Sequence, residues 1–305
     1  MNLRITHETV YDYTPAVETA QHVAYLQPLN TPCQTLLSHQ LDVFPTPALL
    51  TQTTDLYGNQ RTFFSLQSPH TQLRVVATSE VRTRAPQEAD STMSWETLRE
   101  GFRYHTDAAW NPATEFSFAS VHAPRHEEFT AYARPSFGPG VAALAAARDL
   151  MARIHADFTY ESQSTEIDTP ALEALAQRKG VCQDFAHIMI ACLRAMGLAA
   201  RYVSGYLLTQ PPPGRPRLVG SDASHAWVAV YLPDLSGADE GHGWYDLDPT
   251  NDRDGWGTPG EDYVTLATGR DFSDISPIRG VIHGGSQHTL SVGVTVEPIL
   301  QDALT

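Results

Sequence analysis

Apolar and polar residues alternate in short runs along the first quarter of the chain. Residues 3–6, 23–26, 39–44, 62–66 and 73–77 each carry the two-residue period of a half-buried strand. Tyr57-Gly58-Asn59 and several prolines punctuate these runs as turns. The pattern predicts a small β-sandwich over residues 1–85. The polar, proline-marked stretch 84–90 has no apolar period and makes a domain boundary. Helical periods follow. Residues 141–155 gather Leu144, Leu150, Met151 and Ile154 on one face, and a second helix is expected over 171–178. Thr169 is placed as its N-cap and Pro170 at its first helical position, with Gly180 as its end. A third helix starts at once, with Phe185, Ile188 or Met189, Cys192 and Met196 at three- and four-residue steps before Gly197 stops it. Strand patterns return at 201–208, 223–232 and 244–248, and a last apolar alternation covers 290–296. Helices first and an antiparallel sheet after them predict an α+β domain over 86–305, its core about 140–255.

This arrangement puts Cys182 in the first turn of a half-buried helix. Unpaired backbone N–H groups and the helix dipole there favour a thiolate over a thiol. A thiol nucleophile needs a base to take its proton and a third group to orient that base. Alternation in Ser224-His225-Ala226-Trp227-Val228 aims His225 and Trp227 from one strand face. In the next strand Asp246 and Asp248 share a face, and Asp248 stands at the strand end before Pro249. Either carboxylate could hold the imidazole's other nitrogen. Cysteine, histidine and aspartate so mounted make a triad.

The residues around these three are more specific than their spacing. The chain reads Gly180-Val181-Cys182-Gln183-Asp184-Phe185-Ala186-His187, Arg201-Tyr202-Val203-Ser204-Gly205-Tyr206, Asp222-Ala223-Ser224-His225-Ala226-Trp227 and Asp248-Pro249-Thr250-Asn251. These motifs resemble the transglutaminase-like superfamily, relatives of papain-type proteases. The resemblance is strongest to its bacterial branch with an N-terminal β-rich domain, whose opening here would be His7-Glu8-Thr9-Val10-Tyr11-Asp12-Tyr13. It implies a papain-like core, helices packed on an antiparallel sheet, with Cys182, His225 and Asp248 as the triad; the Asp-Pro-Thr match selects Asp248 over Asp246. The implied chemistry is hydrolysis of amide or peptide bonds through a thioester, with transfer of the acyl group to an amine as the alternative. A non-catalytic peptide-binding module is a third reading, but binding alone needs no activated nucleophile. The Cys182 backbone N–H is the first candidate for an oxyanion donor. Gln163 and Tyr160 are candidates for the second, and Asp222 and Trp227 are further candidates for contact with substrate.

Composition narrows the partners. Against 20 Lys plus Arg stand 35 Asp plus Glu, a formal charge of −15, which disfavours nucleic acid and anionic membranes. No run is long enough to cross a membrane and the N-terminus lacks a signal-peptide core, so a cytoplasmic location is expected. Cys33, Cys182 and Cys192 make no disulfide framework. Cys192 reads as core, Cys33 as incidental in a loop, and His187 as a packed histidine off the Cys182 face. Asp184 in the first helical turn reads as a cap. No cofactor is called for. A calcium loop among Asp246, Asp248, Asp252 and Asp254 fails the register that glycine and glutamate must keep, and no paired zinc motif exists. The expected partner is a protein or peptide substrate.

Overall fold

The computed structural model describes residues 1–103, 106, 109–161, 169–209, 224–236, 243–285 and 287–299. β1 (Asn2–Ala24) is one continuous strand, of which the apolar pattern reveals only the two ends. Its inward positions include His7, Thr9 and Ala20, polar or small residues that hide the alternation. β2 (Gln34–Phe44), β3 (Leu49–Thr54), β4 (Gln60–Leu66) and β5 (His70–Thr83) complete the early strands. The first half of β1 pairs with β5 and its second half with β4, the register shifting between Asp12 and Val17. That shift lets one strand serve two limbs of a folded-over sheet. Val43, Leu73 and Val75 of one limb meet Phe64 and Leu66 of the other in a shared core, which is the sandwich.

The helices are α1 (Trp95–Gly101), α2 (Glu127–Ala133) and α3 (Ala143–Asp157). After them come β6 (Thr159–Tyr160), α4 (Ala171–Gln177), β7 (Lys179–Gly180) and α5 (Cys182–Ala195). Pro170, not Thr169, is the N-cap of α4, with extended backbone at ψ 136°. The helix stops earlier than expected, because Arg178 takes the left-handed conformation (φ 56°). Its guanidinium lies over the Tyr132 and Phe158 rings, at 4.3 and 4.9 Å, which holds it there. The chain is thereby turned so that β7 can pair with β6.

α5 is buried on every side from Asp184 to Arg194, not half-buried. Its pattern of Phe185, Ile188, Met189, Cys192 and Leu193 is almost continuously apolar, as a helix enclosed by other elements requires. It lies between α2, α3 and α4 on one side and a second sheet on the other. The buried Arg194 guanidinium anchors its C-terminal end, donating to the carbonyls of Phe116, Ala200 and Arg270.

That second sheet is antiparallel, ordered β11-β10-β9-β8-β12, from β8 (Ala200–Leu207), β9 (Ser224–Tyr231), β10 (Trp244–Asp248), β11 (Arg253–Trp256) and β12 (Tyr263–Gly269). β13 (Ile278–Gly284) and β14 (Gln287–Pro298) then return to the first sheet and pair along β1. Both lie in the 86–305 segment that the sequence pattern groups as the second domain, yet their pairing partner is the strand that opens the chain. Alternation at 290–296 marks a strand but not its partner, and Val294 and Val296 close the core over Leu3 and Ile5.

Gly205 in β8 stands opposite His225 in β9. A Cβ there would lie 2.1 Å from the Val264 carbonyl oxygen and 2.5 Å from the Trp227 ring. Neither can retreat, one being backbone and the other fully buried. Gly205→Ala is therefore expected to destabilise the protein by about 3 kcal/mol, the upper range of overpacking. A urea midpoint equal to that of the wild type would show that the sheet yields more easily than this packing implies.

Candidate active site

The start of α5 is built by its neighbours. β7 pairs in parallel with β6, setting Gly180 beside Tyr160. A side chain at Gly180 would meet Asp184 Oδ2 at 2.6 Å. Without one, Asp184 reaches back and accepts from the Val181 N–H at 2.8 Å, capping the helix. Cys182 follows as the first helical residue, its side chain only partly buried, whereas Cys33 and Cys192 are enclosed. Cys33 is not an idle loop residue: its thiol donates to the Trp256 carbonyl at 3.5 Å, where the two sheets meet.

His225 is brought to this helix start from β9. One edge of the imidazole donates from Nε2 to Asp248 Oδ2 at 2.7 Å. Asn251 Nδ2 lies 3.3 Å from the same Nε2, and Cys182 is close enough to the ring to raise its pKa. Asp248 is fully buried at the end of β10. Its Oδ2 also accepts from Tyr263 Oη and from Asn251 Nδ2, each at 2.7 Å, and its Oδ1 accepts from the Thr250 N–H at 2.9 Å. The carboxylate is thus held from both oxygens.

These contacts set the charges. Burial pushes the Asp248 carboxyl up, but hydrogen bonds from His225, Tyr263 and Asn251 outweigh it and hold the group below the usual carboxylate range. Burial likewise works against a charged His225, yet Asp248 and Cys182 together raise it from 6.5 to about 10. At neutral pH the ring is an imidazolium beside a carboxylate.

The other sequence candidates separate. Trp227 is fully buried, with its Nε1 committed to Asp246 Oδ1 at 2.8 Å. Its ring lies 6.1 Å from that of His225, so it props the imidazole instead of facing a substrate. Asp246 is occupied by this bond while Asp248 holds the histidine. Tyr160 is 52% exposed, packs edge-on against Phe185 and stands near enough to Cys182 to feel its charge. Gln163 and Asp222 lie outside the described residues. His187 sits apart from the site, buried, with Nε2 accepting from the Phe272 N–H and burial taking its pKa to about 3. Asp254, one of the crowded aspartates, is taken by Arg148 and Tyr245.

Two contributors were not singled out from the sequence. Asn251 lies within the Asp248-Pro249-Thr250-Asn251 motif and could have been found there. Tyr263 has no local sign: it sits on β12, at the far edge of the sheet from β11, and reaches Asp248 across the gap that Gly205 leaves beside Trp227.

Comparison with known proteins agrees with this architecture. Residues 3–82 match the family model of the bacterial transglutaminase-like N-terminal region, and residues 130–249 match that of the transglutaminase-like superfamily. An uncharacterized protein of Mycobacterium tuberculosis is 39% identical over 307 residues, covering 99% of this chain and 94% of its own. A protein-glutamine gamma-glutamyltransferase of Pseudomonas aeruginosa is 32% identical over 109 residues, covering 33% of this chain and 15% of its own. Among solved structures, a protein of Cytophaga hutchinsonii named provisionally as a cysteine protease shares the fold, with a TM-score of 0.73, 21% identity, and coverage of 99% of this chain and 92% of that one. Both halves carry the marks of one family, and the similarity runs the length of the chain: it belongs to the transglutaminase-like superfamily, thiol enzymes of papain-like fold, with the bacterial N-terminal region attached.

Proposed function

We propose that the protein is a thiol-dependent hydrolase of amide or peptide bonds, with Cys182 as nucleophile, His225 as general acid and base, and Asp248 as the group that orients His225. The observation that carries this reading is the 2.7 Å hydrogen bond between His225 and Asp248, with Cys182 at the start of a buried helix and close enough to His225 to raise its pKa. The Cys182 thiolate attacks the amide carbon, and the oxyanion so formed is met by the Cys182 backbone N–H at the helix start. His225 gives its proton to the departing amine as the C–N bond breaks, leaving a thioester and a neutral imidazole. Water then adds to the thioester, losing a proton to His225, and the carboxylic acid departs as the thiolate and imidazolium are restored. Tyr160, half exposed and near Cys182, would be the second oxyanion donor.

Acyl transfer to an amine is the second reading, favoured by the similarity to the Pseudomonas aeruginosa glutamyltransferase. It uses the same thioester and differs only in the molecule that resolves it. The yield of a labelled primary amine in the product, against free acid, separates the two.

The thiol reading is tested by alkylation with iodoacetamide near neutral pH. Cys182 is expected to react alone, because Cys33 and Cys192 are buried to 1% and 0% exposure. Its rate is expected to fall at least about tenfold in His225→Ala, which removes the imidazolium. A rate indifferent to His225 would remove the case for an activated nucleophile.

A further inference from the structure

A second polar centre lies on the other side of Trp227 from His225. Arg201 on β8 lays its guanidinium over the Trp244 ring at 4.2 Å. Its Nε is buried with no hydrogen-bond partner among the described residues. Asp246 on β10 is 7% exposed and accepts from Trp227 Nε1 through Oδ1 alone; among the described residues Oδ2 accepts nothing and no ion pair joins it to Arg201. Both groups line a crevice of about 290 Å³ between the second sheet and the N-terminal region, which contributes Pro32 and Tyr57. A second hollow of about 350 Å³ shares Tyr57, Arg201 and Trp244 and runs out to Leu56 and Trp110, which are 89% and 70% exposed.

A buried guanidinium Nε without an acceptor costs stability, and so does a half-used buried carboxylate. A cavity with a few converging polar groups and aromatic walls is the usual form of a small-molecule site. The guanidinium fork suits a carboxylate, the free oxygen of Asp246 suits an N–H donor, and the rings of the outer hollow suit an apolar group. An amino acid carries all three. We propose that this crevice binds a free α-amino acid with an apolar side chain, its carboxylate on Arg201, its ammonium on Asp246 and its side chain in the hollow that opens at Trp110. The ammonium would also stabilise the ionised form of Asp246, whose pKa burial has raised to about 6. The site is distinct from the catalytic cleft, since Trp227 stands between Asp246 and His225.

The test is titration of the full chain with L-phenylalanine by calorimetry, with N-acetyl-L-phenylalanine and L-phenylalaninamide as comparators. Saturable binding of L-phenylalanine is expected, unchanged in Cys182→Ala and weakened at least about tenfold in Arg201→Met. In Asp246→Asn the preference for L-phenylalanine over its N-acetyl derivative should shrink, which tests the site independently of Arg201. The proposal is overturned if the wild type shows no saturable binding, or if Arg201→Met and Asp246→Asn both bind as the wild type does. It is equally overturned if Cys182→Ala abolishes binding, which would place the ligand in the catalytic cleft.

Discussion

Cys182→Ala is expected to lower kcat for amide turnover at least about 10⁴-fold while keeping the stability of the folded protein within about 1 kcal/mol. The proposed reaction runs through a bond to sulfur, and no other described nucleophile stands beside His225. Oxyanion donors and substrate binding would survive the change, so a small residual rate over water is consistent with the mechanism. Packing would change little because the side chain is only partly buried. The measurement is a progress curve for a peptide amide with each protein, together with urea midpoints. Turnover within tenfold of the wild type by a folded Cys182→Ala protein would leave the thioester route without support.

Asp248→Asn is expected to have the next largest effect, about 10²- to 10⁴-fold in kcat/KM, by analogy with the orienting aspartate of other triads. A stability loss of about 3–5 kcal/mol should accompany it, the usual cost of breaking a buried charge pair. The reason is one of hydrogen-bond sign. Asp248 Oδ2 accepts from His225, Tyr263 and Asn251, and Oδ1 from the Thr250 N–H. An asparagine must turn its NH₂ toward one of these donor sets, whichever way the amide lies. The variant should also respond differently to pH. In the wild type the folded protein keeps the His225 proton to about pH 10, whereas the unfolded chain releases it near 6.5. The folded state therefore binds more protons between those values, and its stability falls as pH rises through that window. Without the Asp248 charge the main force raising the His225 pKa is gone, and the slope should flatten. Urea midpoints across the window would show it; equal slopes in the two proteins would mean that His225 and Asp248 are not coupled as the geometry implies.

The legible features were those written in local pattern. Cys182 could be placed at a helix start because the period of α5 begins just after Gly180, and Asp184 could be read as its cap because a carboxylate suits that turn. His225 and Asp248 announced themselves through their strands and through motifs shared with a family. β1 was less legible, because its middle buries His7 and Thr9, which no hydrophobic pattern marks. β14 was legible as a strand but not as a partner of β1, since alternation carries no address. Cys33, Arg201 and Tyr263 each gain their significance from residues far away in the chain: Trp256, Trp244 and Asp248.

The order of amino acids by itself determined many of the elements, the thiol at the head of its helix and the residue types able to serve it, because periodicity and capping act between neighbours a few positions apart. Tertiary structure alone decided that Tyr263 and Asn251 brace the Asp248 carboxylate and that Trp227 supports the ring from behind. It also decided that the last two strands complete the first sheet and that Arg201 is left facing a crevice. Those outcomes depend on sheet order, register and burial, and in a folded chain these are properties of contacts between distant segments, where desolvation makes each unmet hydrogen bond costly enough to select one arrangement.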